Sequence, residues 1–420
     1  MKRKLFFCGC FVVFACIRIL AQTTLAAYID TALKNNPSLQ VYTYESSALQ
    51  QEIKSAKALN DPQLNAGIMN LPSNFNFTDD MMTMEQVGIE QSFSVGKKYF
   101  LRNDVAEKNY EVSTYNVKAQ QLLLIKEVKQ IYYDLYTQNK MIEITKKNIE
   151  ILKSYIDIAN TKYSTGQGTQ QDVMKAQVEV SKMQEQVIDA QSMKEYLTAT
   201  FNTLLSRDIM DSVELPEEIS FQKINLLMYP LMQEVAVNNP MVLSSKITQS
   251  KDSAFYLLAN TSKTPDFTAG FWYGERQATM IDGSKASNLL GFTFGMNLPL
   301  YYKKKQNPLI AEASIKMQES QSVAEATQHQ YQLDLHHVLI DAYRNEKIIS
   351  LYQTQLIPET TENVAAGITG YQENKIDFMT LIDNFLSLYN YQLKYYQAIA
   401  DYYKAVAGIE MVTGKKLITQ

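Results

Sequence analysis

Cysteine is nearly absent from this chain of 420 residues: the three present, Cys8, Cys10 and Cys16, all fall within the first sixteen positions. Beyond that point there is no thiol for a disulfide framework, a cysteine metal site or a thiol nucleophile. Glycine (15) and proline (10) are scarce for the length, which favours long uninterrupted helices over a loop-rich fold. Histidine is limited to His329, His336 and His337. The adjacent pair would point about 100° apart on a helix and lacks the i, i+4 spacing of a helical zinc site. After the amino-terminal segment no run of about 18 apolar residues occurs, so no transmembrane helix is available and a membrane crossing would have to use strands. Gly166-Gln167-Gly168 follows no strand and lacks a third glycine, and no Ser/His/Asp order or paired-carboxylate cleft stands out. The expectation is a non-enzymatic protein with no cofactor and no metal site.

What is present begins with an export signal. Lys2, Arg3 and Lys4 precede the apolar run Leu5 to Ile17, and Ile19-Leu20-Ala21 suits signal-peptidase cleavage, so residues 1–21 are expected to be removed. Lipoprotein processing at Cys16 is the alternative, with Ala15 fitting and Phe14 an awkward neighbour. That segment holds four basic residues and no acid, so its loss takes the formal charge from −4 to −8. An acidic mature chain argues against nucleic acid as a partner.

Two stretches have a period of two. In the stretch from Pro265 to Leu300, Phe267, Ala269, Phe271 and Tyr273 alternate with small or polar residues, with Trp272 the one large exception. Leu290, Phe292, Phe294, Met296 and Leu298 then alternate with Gly291, Thr293, Gly295 and Asn297. Such segments present one apolar and one small, polar face, a pattern shared by soluble hairpins and lipid-facing ones. A weaker twin runs from Pro62 to Phe93, where Leu64, Ala66, Ile68, Val87 and Ile89 alternate and Gln91 breaks the apolar face. The twin belongs to an internal repeat: Asn35-Asn36-Pro37 recurs as Asn238-Asn239-Pro240, and Tyr163 matches Tyr371. The division that follows is a first repeat at 22–207 with strands near 62–95, a linker at 208–230, a second repeat at 231–414 with strands near 265–300, and a tail at 415–420. Each strand pair ends in aromatic and basic residues, among them Lys97, Lys98, Tyr99 and Phe100 in one repeat and Tyr301 to Lys305 in the other. Such clusters suit a membrane interface or a solvated helix start.

The remaining sequence is helical with heptads. Val128, Leu135, Ile142, Ile149 and Ile156 recur every seven residues, as do Leu335, Ala342, Ile349 and Leu356, the spacing of helices that coil around one another. One helix from Lys97 to about Thr165 would be roughly 100 Å long. Turns are expected at Ser164–Gln170 and Tyr371–Ile376, and a kink at Pro358. The loop methionines Met69, Met81, Met82 and Met84 could offer soft thioether ligands, although packing is the commoner use of such residues. Four strands cannot close a barrel alone, so a membrane role demands oligomerisation.

With these pieces in order, the sequence resembles the TolC-type outer-membrane efflux channel family, the outer membrane factors. The resemblance rests on the tandem repeat, the two Asn-Pro pairs, the strand pairs, and Tyr163-Ser164-Thr165-Gly166 followed by Asp172-Val173 and Ala176, with Tyr371, Asp383 and Leu388-Tyr389-Asn390 as counterparts. The segment from Asn60-Asp61-Pro62 to Gly96-Lys97 looks most like the branch associated with metal-cation efflux. The resemblance implies a mostly α fold with a small β part: a long coiled α-helical barrel plus four transmembrane strands per chain, closing a 12-stranded barrel as a homotrimer. It implies residence in the outer membrane of a Gram-negative bacterium, in contact with its lipid, with the helices in the periplasm. Phe267, Phe271, Phe292, Phe294, Met296 and Leu298 would then face lipid.

The implied function is passive conduction of small molecules or metal cations within a tripartite pump. The partners would be a periplasmic adaptor (membrane fusion) protein and an inner-membrane transporter of the resistance-nodulation-division class. The turns at Thr165, Gly166 and Gln167 and at Glu373, Asn374 and Lys375 would meet the adaptor. Two family aspartates that narrow the pore align with Asp383 and Thr380, so one of the two carboxylate rings is missing here; Asp377, nearer the turn, is a candidate to compensate. A type I protein-secretion duct shares the fold, and a soluble periplasmic scaffold or adaptor is the alternative of another class.

Overall fold

The computed structural model describes residues 25–280 and 282–417. The expected export signal at 1–21, with the alternative processing site Cys16, and the last three residues of the expected tail lie outside the described residues. Two short helices, α1 (Leu25–Asn35) and α2 (Pro37–Ala56), lead to the strands β1 (Gln63–Met69) and β2 (Met84–Ser94). A 67-residue helix α3 (Lys98–Ser164), roughly 100 Å long at 1.5 Å per residue, is followed by α4 (Gln170–Leu205). An extended segment then reaches α5 (Met228–Asn238) and α6 (Pro240–Asn260), and the pattern repeats with β3 (Asp266–Arg276), β4 (Leu289–Met296), α7 (Gln306–Leu351), α8 (Ile357–Gln372) and α9 (Phe378–Thr413).

The two halves match closely in length. From Gln306 to Gln372 the second half again spends 67 residues, and α4 and α9 have 36 each, every boundary being displaced by 208 positions. One local difference interrupts the match. α3 is continuous, whereas between α7 and α8 the residues Tyr352–Leu356 form a π-helical turn. Pro358 follows it and has no N–H to give the Thr354 carbonyl, so the regular ladder fails there. The kink expected at Pro358 takes the form of this turn.

The repeated Asn-Pro has a physical reason. The Asn36 side chain accepts the Leu39 N–H at the start of α2 and donates to the Leu204 carbonyl at 3.0 Å. Asn239 accepts from Met241 and Val242 and donates to the Val412 carbonyl at 2.8 Å. Each asparagine therefore caps one helix and clasps the end of the long return helix, while the proline occupies the first helical position, where no N–H is needed.

The strands form one antiparallel sheet in the order β1-β2-β3-β4. Its middle pair joins the repeats: Met84 pairs with Arg276 and Ser94 with Asp266. The register places Leu64, Ile89, Phe271 and Phe292 in one row across all four strands. β1 and β4 are left as open edges.

Two cores hold the helices. One surrounds the junction of α1, α3, α6, α7 and α9, and it includes Tyr28, Tyr132, Tyr136, Phe201, Leu335, Tyr402 and Tyr403. The other lies between the far ends of α3, α4, α8 and α9 and includes Leu152, Ala159, Ala176, Met183, Tyr371, Phe378 and Phe385. The extended segment after α4 has no ladder of its own, and tyrosine hydroxyls strap it to the first core. Tyr28 Oη accepts from Glu214 N at 3.0 Å, Tyr136 Oη from Ile219 N at 3.1 Å and Tyr402 Oη from Ile224 N at 3.0 Å. Tyr403 Oη accepts from Gln222 N at 3.1 Å and donates to Ser220 O at 2.8 Å, and Tyr343 Oη donates to Leu226 O. Buried backbone groups need partners; four helices supply them here.

Candidate functional site

Two regions far apart along the long helices carry the expected functional residues: the helical tip and the sheet. At the tip, Gly166 takes the left-handed conformation (φ 76°) after α3, and Asn374, 208 positions later, takes it as well (φ 61°) after α8. Asparagine tolerates this region better than other side-chain-bearing residues. The helices that leave the turns are capped by the same two residue types in exchanged order. Thr169 and Asp172 form a capping box at the start of α4. At α9, Asp377 is the cap and accepts the Thr380 N–H at 2.7 Å. That backbone donor holds the Asp377 carboxyl below the ordinary carboxylate range. Thr380 thus stands where the first repeat has Asp172, and the acid has moved to the cap. Asp377 is occupied in closing the helix end.

The two turns of one chain are tied together. Lys162, buried on the last turn of α3, donates to the Tyr371 carbonyl and, at 3.1 Å, to the Gln372 carbonyl at the end of α8. Its ammonium also lies 4.7 Å from the centre of the Tyr371 ring. A cation is well placed there, because the last carbonyls of a helix lack partners and carry partial negative charge. The Tyr371 hydroxyl donates to Asp172 Oδ2 at 3.3 Å, and burial, followed by the Asp172 charge, pushes its phenol up to about 12. No sequence pattern pointed to this tie, since its members are about 200 positions apart.

Thr165, Gly166, Gln167, Glu373, Asn374 and Lys375 are all exposed at the tip, and Glu373 pairs with Lys375 at 2.6 Å. Asp383 is exposed one and a half turns into α9, with Thr380 also exposed on the same helix. Beside the tip bundle, a groove of about 690 Å³ opens between α3, α8 and α9, lined in part by Ile151, Tyr155, Pro358, Val364 and Phe385.

At the other end, one face of the sheet is apolar and uncovered. Phe292 is 85%, Leu64 75% and Phe294 70% exposed, and Phe271 and Met296 are exposed with them. Phe267 is half-buried between Phe93 and Phe294, whose rings lie 6.2 and 5.5 Å away. Leu298 is exposed but follows the end of β4 at Met296, so the strand stops one alternation earlier than the sequence pattern suggests. Gln91, the break in the apolar face, turns its amide to the Asn60 carbonyl at 2.7 Å. The opposite face carries Gly67, Gly88, Gly270, Gly274, Gly291 and Gly295 among polar residues. Trp272 lies on that face, which explains why it broke the alternation. Among the loop methionines, Met81 and Met82 are exposed and Met84 is buried against Gly274. Among the described residues no three His, Cys, Asp or Glu side chains come together as a metal group, and no helix is long and apolar enough to cross a membrane.

The comparisons with known proteins agree with this geometry. Residues 28–200 match the model of the outer membrane efflux protein family. The fold is similar to that of the outer membrane protein VceC from Vibrio cholerae, with 15% identity, 94% of this chain and 97% of that chain covered, and a TM-score of 0.79. It is similar to the CmeC outer membrane channel of Campylobacter jejuni, with 14% identity, 93% and 85% covered, and a TM-score of 0.77. It is also similar to the open state of the MtrE outer membrane channel of Neisseria gonorrhoeae, with 16% identity, 93% and 88% covered, and a TM-score of 0.76. No curated protein matches the chain.

Proposed function

We propose, for a chain that carries the TolC-type outer-membrane channel fold and matches the outer membrane efflux family over its first repeat, that it is the exit duct of a tripartite efflux pump. Three copies would join β4 of one chain to β1 of the next and close twelve strands, with the helices forming a tube across the periplasm of a Gram-negative bacterium. The observation that carries this reading is the sheet: four strands with one bare aromatic face, two unpaired edges and a polar, glycine-rich reverse. In water such a face and such edges invite aggregation. In lipid the face is satisfied, and closure satisfies the edges.

Phe267, Phe271, Phe292, Phe294, Met296 and Leu298 then face lipid, with the aromatic and lysine residues of 301–305 at the headgroup level. The exposed tip turns, from Thr165 to Gln167 and from Glu373 to Lys375, receive the periplasmic adaptor, which links the duct to an inner-membrane transporter of the resistance-nodulation-division class. Conduction is passive, and the transported species are small molecules or metal cations. Asp383 lines the narrow end as a ring of three carboxylates, with Thr380 beside it. The tie between Lys162, Tyr371 and Asp172 supports a tip that rests closed and opens when α8 and α9 part from α3 and α4.

Phe292→Arg tests the reading directly. A charge on the lipid face costs about 2–4 kcal/mol at mid-membrane, so the variant should fail to assemble in the outer membrane, read by membrane fractionation and cross-linking. A cross-linked trimer of this variant in the membrane fraction, or a wild-type monomer free in the periplasm, would overturn it.

A further inference from the structure

The polar face of the sheet holds a constellation that conduction alone does not require. Trp272, the single tryptophan of the chain, stands between two glycines, opposite Gly88 on β2 and Gly291 on β4. A Cβ on Gly291 would collide with the indole ring itself, and one on Gly88 would lie 2.9 Å from Trp272 Cβ. The ring therefore lies flat on the glycine backbone and keeps its other side toward the open face of the sheet; the residue is half-buried. Its indole N–H bonds no described residue.

One alternation along, the floor is again glycine. Gly270 is flanked by Glu90 on β2 and Thr293 on β4. A Cβ at Gly270 would sit 2.9 Å from Glu90 Cγ and would collide with Thr293 Oγ1. Glu90 and Thr293 thus lean over the missing side chain from both sides, in a row whose backbone is about 7 Å along the strand from that of Trp272. Glu90 has no ion-pair or hydrogen-bond partner among the described residues. The cations near this face are engaged elsewhere: Lys98 pairs with Asp266 at 2.7 Å, and Arg276 is turned to the carbonyls of Ser287 and Met81. Gln63, the remaining cross-strand neighbour of Glu90, is uncharged.

An aromatic face beside an unpaired carboxylate is the chemistry that recognises an organic cation: the ring quadrupole attracts the charge, and the carboxylate adds a Coulomb term. We propose that Trp272, Glu90 and Thr293 form a weak binding site for planar or quaternary organic cations on the wall of the channel, one site per chain. The inference rests on the assignment of the glycine-rich face to the lumen. The floor must be glycine, since side chains at 270 and 291 would fill the space taken by the Glu90 stem, the Thr293 hydroxyl and the indole ring.

The single tryptophan makes the test clean. The purified full-length channel in detergent is titrated with methyl viologen, a planar dication that quenches indole fluorescence, and separately with neutral acrylamide. The expected result is saturable quenching by viologen, weakened about fivefold in apparent Kd by Glu90→Gln and unchanged by Glu85→Gln, with the same acrylamide response in all three proteins. Choline, which does not quench, should compete with viologen. Viologen quenching that is linear, or the same in Glu90→Gln, would overturn the site alone. Should Glu90→Gln not assemble, the wild-type choline competition decides, and its failure likewise overturns the site. Reconstitution into vesicles of bromine-labelled phospholipid separates the premise: strong quenching of Trp272 by the lipid chains would overturn the lumenal assignment, and the site with it.

Discussion

Replacing Lys162 by Met should loosen the tip without unfolding the protein. The ammonium makes two charge-assisted bonds to the last carbonyls of α8, from a residue only 7% exposed. Hydrogen bonds to charged groups contribute roughly 1.5–3 kcal/mol each. Part of that is recovered, since the Gln372 carbonyl lies at an exposed residue and water can replace the lysine, and the Met side chain keeps the apolar contact with Tyr371. A net loss of about 2 kcal/mol per chain remains, a factor of roughly 30 in the equilibrium between tied and parted hairpins. In the proposed trimer three chains would meet at one tip, and the combined bias would be about 6 kcal/mol. Global stability should be unaffected, because the large core around Tyr136 and Tyr402 lies far along α3 and α9 from this contact. The assay is single-channel recording in planar bilayers beside a thermal melt. Lys162→Met should raise the open fraction at an unchanged melting temperature, and Lys162→Arg should restore the closed state in large part. A methionine variant with wild-type gating would refute the view that this contact holds the tip.

Other consequences are equally open to measurement. If Asp383 forms the proposed ring, Asp383→Asn should raise the concentration of divalent cation that half-blocks the current by on the order of tenfold, since three carboxylates together attract cations strongly; an unchanged block would refute that role. Tyr403→Phe deletes two bonds to the extended segment, at Ser220 and Gln222, and should lower unfolding stability by about 1–2 kcal/mol in a denaturant titration. The Tyr371 phenol is raised to about 12 by burial and by Asp172. Because its folded value lies above that of the unfolded chain, its contribution is complete below about pH 10 and is lost as pH rises through 12. The absorbance titration at 295 nm of wild type minus Tyr371→Phe should therefore show a component appearing only above pH 11.

How much was legible depended on whether the signal was local. The strands could be read because Phe292, Phe294 and Met296 alternate in one face over a few residues, and α3 because its heptads run unbroken. Asn374 could be placed in a turn because it stands where the family pattern has glycine and asparagine tolerates the same backbone region. The Lys162 tie could not, since a buried lysine bonded to backbone carbonyls 209 and 210 positions away leaves no mark of type or spacing. Trp272 was visible as an exception to the alternation, yet its setting depends on Gly88 and Gly291, which belong to other strands. Pro358 announced that a hydrogen bond must fail, but whether a helix answers with a bend or a π-helical turn is decided by packing. The tyrosine straps were hidden by abundance: with 27 tyrosines in the chain, nothing singled out the five that hold the extended segment.

Those five hydroxyls have a mechanical consequence. A segment without secondary structure would ordinarily stretch under load, yet here it is fastened at 214, 219, 220, 222, 224 and 226 to four different helices. It behaves as a fulcrum. Torque applied at the tip would turn the far ends of the helices as levers about this waist, with little of it passed to the strands. In the proposed trimer the tip could therefore be twisted repeatedly while the sheet above it, whose outer seams would be formed by neighbouring copies, is spared the strain that would unzip it.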